Sequence, residues 1–339
     1  MWEVTKIVYR IGKFLPQDLE RLILPFRGRE RKEVLFGAHI GRDSGVLSLS
    51  GNYLALTCDP VTGATRGAGL LAPHLVANDL ICSGAEPVAL LVSLILPQSV
   101  EPSFARSLME DIDEASRKIG FAILGGHTEV SDAVRRPIIH CTGVGKITGS
   151  TIPDVTKVAP GDAIVITKGA GIEGTGILAL EWEKELSRIL PEEEVQRAQG
   201  FLDRVSVLEE GRIALSFSPH CLHDATEGGV LGAIFEVCRA RGLGFEVERS
   251  KIPIFPETQR ISAFFDIDPL RLVSSGTLLI FAPDPKPLLE ALEAAGIPAS
   301  CIGRVSEERC FLIHEDGFQE EISECPQDEL WRVLEGWPK

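Results

Sequence analysis

The residues with the most chemical potential in this sequence are isolated acids, each in an apolar or glycine-rich setting at the end of an element. Asp43 lies in Gly41-Arg42-Asp43-Ser44-Gly45, Asp59 follows the apolar run Leu54 to Cys58, and Asp79 is the one acid in the nearly uncharged stretch from Gly67 to Gly84. Glu129 and Asp224 sit near paired glycines, Gly125-Gly126 and Gly228-Gly229. An ionised carboxylate is expensive to bury alone, so several of them in weakly polar segments suggest one shared cation. Mg²⁺ carrying a nucleoside triphosphate suits that chemistry, since it takes a few carboxylates and completes its shell with phosphate oxygens. Separate capping of helices and turns accounts for the same residues equally well: Asp59 before Pro60 and Asp224 before a helix both fit it. Spacing alone leaves both readings open.

Other motifs exclude more than they assign. Gly169-Ala170-Gly171-Ile172-Glu173-Gly174 matches the dinucleotide fingerprint, but the acids that follow at the required distance, Glu192 to Glu194, come after Pro191 and open a helix. A second strand ending in an acid is needed there, so nicotinamide binding is disfavoured. There is no GxxxxGK[ST] phosphate loop. The eight cysteines are scattered singly without a CxxC pair, which argues against a structural zinc site or a disulfide framework and for a reducing, cytoplasmic setting. The strongest apolar run, Val88 to Leu96, is about half the length of a membrane span, so no membrane is expected. Residues 1–150 hold 16 basic and 16 acidic side chains and the remainder 18 and 33, so the whole net charge of −15 falls in the second half. That balance disfavours nucleic acid as a partner.

The elements that must position these acids can be read from the same pattern. Val46 to Leu49 and Tyr53 to Cys58 form a hairpin about Ser50-Gly51-Asn52. Gly67 to Gly84 reads as a helix buried nearly all round, and Val88 to Ile95 as a buried strand. Ser103 to Ile119 is an amphipathic surface helix whose acidic face needs no functional explanation. Strands at 122–124 and 138–146 bracket a loop holding Gly125, Gly126, His127, Thr128 and Glu129. The proline-containing stretch 151–160 marks a boundary between residues 1–152 and 153–339. In the second half, a strand from Ala163, helices to Phe217, a strand–turn–helix unit at Cys221 to Arg241, and later strands and helices alternate too loosely for a doubly wound sheet. Two α+β domains are expected.

Several blocks resemble the aminoimidazole ribonucleotide (AIR) synthetase-related, PurM-like superfamily, and within it most closely the branch of the hydrogenase-maturation factor HypE. They are Gly41 to Val46, Cys58 to Gly63, Asn78-Asp79-Leu80, Gly84 to Pro87, Gly125 to Val130, Pro160 to Asp162, Thr167 to Thr175, His223 to Gly229, Asp268 to Leu270 and Ser274 to Gly276, in the family's order. The resemblance implies two PurM-like domains, the N-terminal one pairing in a homodimer to build a shared barrel, with ATP and Mg²⁺ between the domains. It implies Asp43, Asp59, Asp79 and Glu129 as metal-binding acids. Asn78, Gly125, Gly126, Thr128, Lys168, Thr226 and Gly228 would contact the nucleotide, and Asp224, Glu227 and His127 would serve catalysis. His127 stands where several relatives have an acid, and a structural role for it is as open as that of a general base. Arg42 either weakens a metal site or supplies a cation for phosphate.

Members of the superfamily use ATP to phosphorylate an acceptor, usually the oxygen of an amide or related carbonyl, on a small molecule or a partner protein. In HypE the acceptor is a carbamoyl group on a C-terminal cysteine. Here the last cysteine, Cys325, precedes a predicted helix and the sequence closes on Gly336-Trp337-Pro338-Lys339, so the full dehydration is not expected. Two other readings are a small-molecule kinase similar to thiamine-monophosphate kinase and a nucleotide-binding assembly module without turnover.

Overall fold

The computed structural model describes residues 11–64, 66–149 and 151–336. The first half contains strands β1 (Val34–Phe36), β2 (Gly45–Leu49), β3 (Asn52–Val61), β4 (Ala85–Pro97), β5 (Ala122–Ser131) and β6 (Ile138–Ile147). They form one sheet in the order β1-β2-β3-β6-β4-β5, antiparallel except for the β4–β5 pair. The hairpin is as expected: Leu49 pairs with Asn52 across Ser50 and Gly51, both at positive φ, the geometry that matches the twist of two antiparallel strands. The uncharged stretch forms the helix Ala68–Cys82, which lies between this sheet and the amphipathic helix Pro102–Ile119. With apolar neighbours on every side it shows no polar face.

Two local expectations are corrected. Strand β3 does not stop at Cys58 but runs through Asp59 and Pro60 to Val61, paired throughout with β6. Pairing with β2 ends at Leu56, so beyond that point β3 has one unpaired edge, where proline's missing N–H does no harm. Residues 125–129 are not a loop but the middle of β5, an exposed edge strand paired in parallel with β4. Pairing outweighs the glycines because the register shifts at Leu90/Leu91, and Gly126, at φ 154°, passes so close to β4 that a Cβ would collide with Val92 O.

The second half contains β7 (Ala163–Thr167), β8 (Cys221–Asp224), β9 (Gly244–Glu248), β10 (Leu278–Ala282), β11 (Ala299–Ser306), β12 (Cys310–Ile313) and β13 (Gln319–Glu321). Their order is β13-β12-β9-β11-β7-β10-β8, with only β12–β9 parallel. Each half is therefore a mixed sheet with helices, the α+β architecture expected. The short helix Pro16–Leu22, the helix Pro256–Phe265 and the strands β1 and β13 were not legible in the sequence.

One apolar cluster runs from the first sheet through Leu71, Leu80 and Ile81 into Leu202, Val205 and Leu278 of the second half. A second lies wholly in the second half, around Phe245, Phe281 and Val237. The shared cluster joins the two halves. In the connecting segment Asp154 accepts both Arg42 Nε and Nη2, at 2.7 and 3.0 Å. This bidentate pair is buried. Arg42 is therefore already engaged through its guanidinium, by Asp154 and by Gly37 O at 2.7 Å. It fastens the Asp43 loop to the start of the second half.

Candidate active site

A cavity of about 510 Å³ opens where the two halves meet. Its walls come from the free edge of β3, the Asp43 loop, the N-terminal end of the helix Ile172–Glu181, the turn after β8, and the C-terminal helix Glu329–Gly336. Asp43, Asp59, Asp79, Asp224, Thr226 and Glu227, all singled out in the sequence, line it together. The fold brings them there by distinct devices. Ser44 Oγ donates to Asp79 O at 2.9 Å, and Thr57 Oγ1 lies 3.0 Å from Asp43 O and 2.5 Å from Asp79 Oδ2. The Asp43 loop, β3 and the buried helix are thereby locked to one another.

The electrostatics follow from crowding acids in a dry place. Burial, reinforced by Asp43, raises Asp224 to about 8. Burial raises Asp59 to about 6, although Asp79 and Lys13 work the other way, and it lifts Asp79 well above the carboxylate range with help from Asp59 and Asp224. Glu173 and Asp328 are each raised to about 7, again mainly by burial. Burial and like-charged neighbours both favour the protonated form of a carboxyl.

Part of the compensation is internal. His223, one residue before Asp224, contacts Asp43 through Nδ1 and lies 3.8 Å from Glu236 Oε2 through Nε2. Burial opposes its charge, but these carboxylates outweigh burial and raise it to about 10. Glu236 accepts Lys13 Nζ at 2.9 Å. These neighbours overcome burial and hold its carboxyl down at about 2.

Among the described residues that line the cavity, three buried carboxylate oxygens nonetheless have no hydrogen-bond partner: Asp43 Oδ2, Asp224 Oδ2 and Glu173 Oε2. Asp43, His223 and Asp224 offer ligand atoms within 4.8 Å of one another. Unsatisfied hard oxygen donors converging on a cavity fit a divalent cation such as Mg²⁺ that shares its shell with phosphate.

The other sequence candidates lie elsewhere. Asn78 is buried with its amide spanning Val205 O at 2.8 Å and Val207 N at 3.0 Å, so it joins the two halves and is not aimed into the cavity. Lys168 Nζ bonds Glu210 Oε1, Ser206 O and Arg204 O at 2.7, 2.6 and 3.1 Å. Gly228 N–H, expected to face phosphate, donates to Asp328 Oδ2 at 2.7 Å. Gly125, Gly126, His127, Thr128 and Glu129 lie on the exposed strand β5 and do not line the cavity, and His127 Nε2 meets Glu129 Oε2 at 3.1 Å.

Sequence reasoning passed over His223, Glu173, Glu236, Asp328 and Lys13. Glu236 carries the same signal as Asp79, a single acid in an apolar helix, and so does Glu173 among glycines and alanine. Lys13 gave no signal.

The fold and this acid-lined cleft define a class, confirmed by comparison. Residues 41–147 match the model of the AIR synthase related protein N-terminal domain and residues 159–315 that of its C-terminal domain. The chain belongs to this PurM-like family. Among individual relatives, a Methanocaldococcus jannaschii protein named provisionally as a hydrogenase expression/formation protein is 29% identical over 298 residues, covering 84% of this chain and 85% of the relative. The carbamoyl dehydratase HypE of Cupriavidus necator is 26% identical over 246 residues, 71% of this chain and 68% of the relative. Among solved structures, HypE in a HypE–HypF complex superposes with a TM-score of 0.73 at 20% identity, covering 91% of this chain and 99% of that one. HypE in complex with ATP gives 0.66 at 22% identity, covering 93% and 96%. At these identities the superpositions show a shared fold. No helix among the described residues is long and apolar enough to cross a membrane.

Proposed function

We propose that this chain is an ATP- and Mg²⁺-dependent enzyme of the HypE-like branch that activates an acceptor oxygen by phosphoryl transfer, in the maturation of hydrogenase or another metalloenzyme. The observation that carries the proposal is the set of buried, unpartnered oxygens on Asp43 and Asp224 beside proton-holding Asp59 and Asp79. Asp43, Asp59, Asp79 and Asp224 would hold Mg²⁺, which neutralises phosphate charge when bound. The chain's remaining task is positioning, since phosphoryl transfer depends chiefly on alignment and charge neutralisation. In the step itself an acceptor oxygen bonds the terminal phosphorus as the bond to the bridging oxygen breaks, and ADP leaves.

A homodimer paired through the first sheet fits the apolar residues displayed there. Leu124 and Val130 on the edge strand β5, with Val88 and Leu91 on β4, are all exposed in the single chain, and an exposed edge of this kind invites pairing. The eight cysteines are all unpaired thiols, which suits a cytoplasmic setting. A partner protein is a fitting source of the acceptor, a reading supported by the solved complex of the relative HypE with HypF.

The test is ADP release from ATP and Mg²⁺ in the presence of carbamoyl, carboxamide and phosphate-ester acceptors. Stimulation by carbonyl-type acceptors supports the proposal, and stimulation by phosphate esters alone indicates a small-molecule kinase. Tight binding with no ADP from any acceptor indicates an assembly module.

A further inference from the structure

Eight carboxylates line the cavity, yet a nucleoside triphosphate is itself a polyanion. Among the described residues two Lys or Arg side chains share the lining, Lys13 and Arg42, and Arg42 is committed to Asp154 through both Nε and Nη2. Lys13 is held differently. Its Nζ meets one carboxylate, Glu236 Oε2 at 2.9 Å, and 42% of the side chain is exposed. Its main chain is fixed. The Lys13 N–H donates to Glu227 Oε2 at 2.6 Å. The preceding Gly12 has φ 114°, and a Cβ there would lie 2.8 Å from Trp331 Nε1. Residues 11–13 therefore fit a slot between Glu227 and the C-terminal helix that admits glycine and little else. Through Glu236 and His223, Lys13 also stands at the end of a row of charges that reaches Asp43.

We propose that Lys13 is the phosphate-contacting cation of this site, exchanging Glu236 for an oxygen of the nucleotide's terminal phosphate, and that Glu227 and Glu236 are positioning residues that hold it ready. The inference rests on the nucleotide reading above. A lysine ammonium is a compact, mobile point charge suited to following a phosphate. Glu227, which the sequence suggested as catalytic, acts in this account through the main chain of Lys13.

The experiment is calorimetric titration of the native protein, K13M, K13R, E227Q and the surface control K251M with a non-hydrolysable ATP analogue and with ADP, each with Mg²⁺. Thermal unfolding of every variant establishes that it is folded. K13M is expected to lose about tenfold or more in affinity for the triphosphate, the order of one charge-assisted hydrogen bond, with ADP affinity nearly unchanged. K13R should recover part of the loss, and E227Q should lower the preference for triphosphate over diphosphate. K251M, whose lysine pairs with Glu248 on the surface, should match the native protein. Native-like or tighter triphosphate binding by K13M overturns the inference, and so does an equal loss for both nucleotides. If the native protein binds neither nucleotide, the nucleotide reading itself falls and this inference with it.

Discussion

Asp59, Asp224 and Glu173 hold protons to about 6, 8 and 7 in the folded chain, while in the unfolded chain they release them near ordinary carboxylate values. Across that window the folded state binds more protons, so its stability falls as pH rises. His223, raised to about 10, acts in the same direction, since its contribution is complete below its unfolded value and lost toward 10. Divalent cations compete with those protons, so stabilisation by Mg²⁺ should grow with pH. Thermal unfolding without metal is therefore expected to give a lower Tm at about pH 8 than at about pH 5, with Mg²⁺ restoring more at the higher pH. A metal-free Tm that climbs over this range counts against the cluster. Arg42 provides a second check at this scale. Removing it leaves Asp154 buried without its main partner, so R42A should lose about 3 kcal/mol in denaturant unfolding, whereas R106A, on an exposed helical pair, should lose less than about 0.5 kcal/mol.

The elements differ in how openly the sequence announced them. The hairpin, the buried helix and the strand β12 follow from local chemistry: a two-residue turn, an uncharged run, a short β-rich run. Strand β5 does not. Its residues are nearly all exposed and show no alternation, and what makes Gly125 to Glu129 a strand is the neighbouring β4, which lies outside any local window. The site divides in the same way. Asp43, Asp59, Asp79 and Asp224 were visible as acids in unsuitable surroundings, whereas Lys13 entered through a fold that brings residue 13 against residues 227 and 236. Nothing near Lys13 marks it. At this scale G126A should be severe, because the added methyl meets the β4 main chain. We expect a loss of about 2 kcal/mol or more in unfolding experiments, while G317A, in open space at a surface turn, pays only for its positive φ and should lose about 1 kcal/mol.

At the scale of the molecule, two α+β halves share one apolar cluster and enclose an acidic cleft, while the outer edge of the first sheet displays Leu124 and Val130. Light scattering is expected to give a dimer for the native protein and a monomer for L124K/V130K, and a native monomer would remove the proposed pairing. The net charge of −15 belongs to the second half, yet the acids of the cleft come from both halves. In the proposed reading a cation lies between these acids and a phosphate. Calorimetry of a non-hydrolysable ATP analogue with native and D59N protein, with Mg²⁺ and with chelator, tests this directly. The account predicts one nucleotide per chain with Mg²⁺, none with chelator, and about tenfold or weaker binding by D59N. Absence of binding by the native protein, or equal binding by D59N, would contradict it.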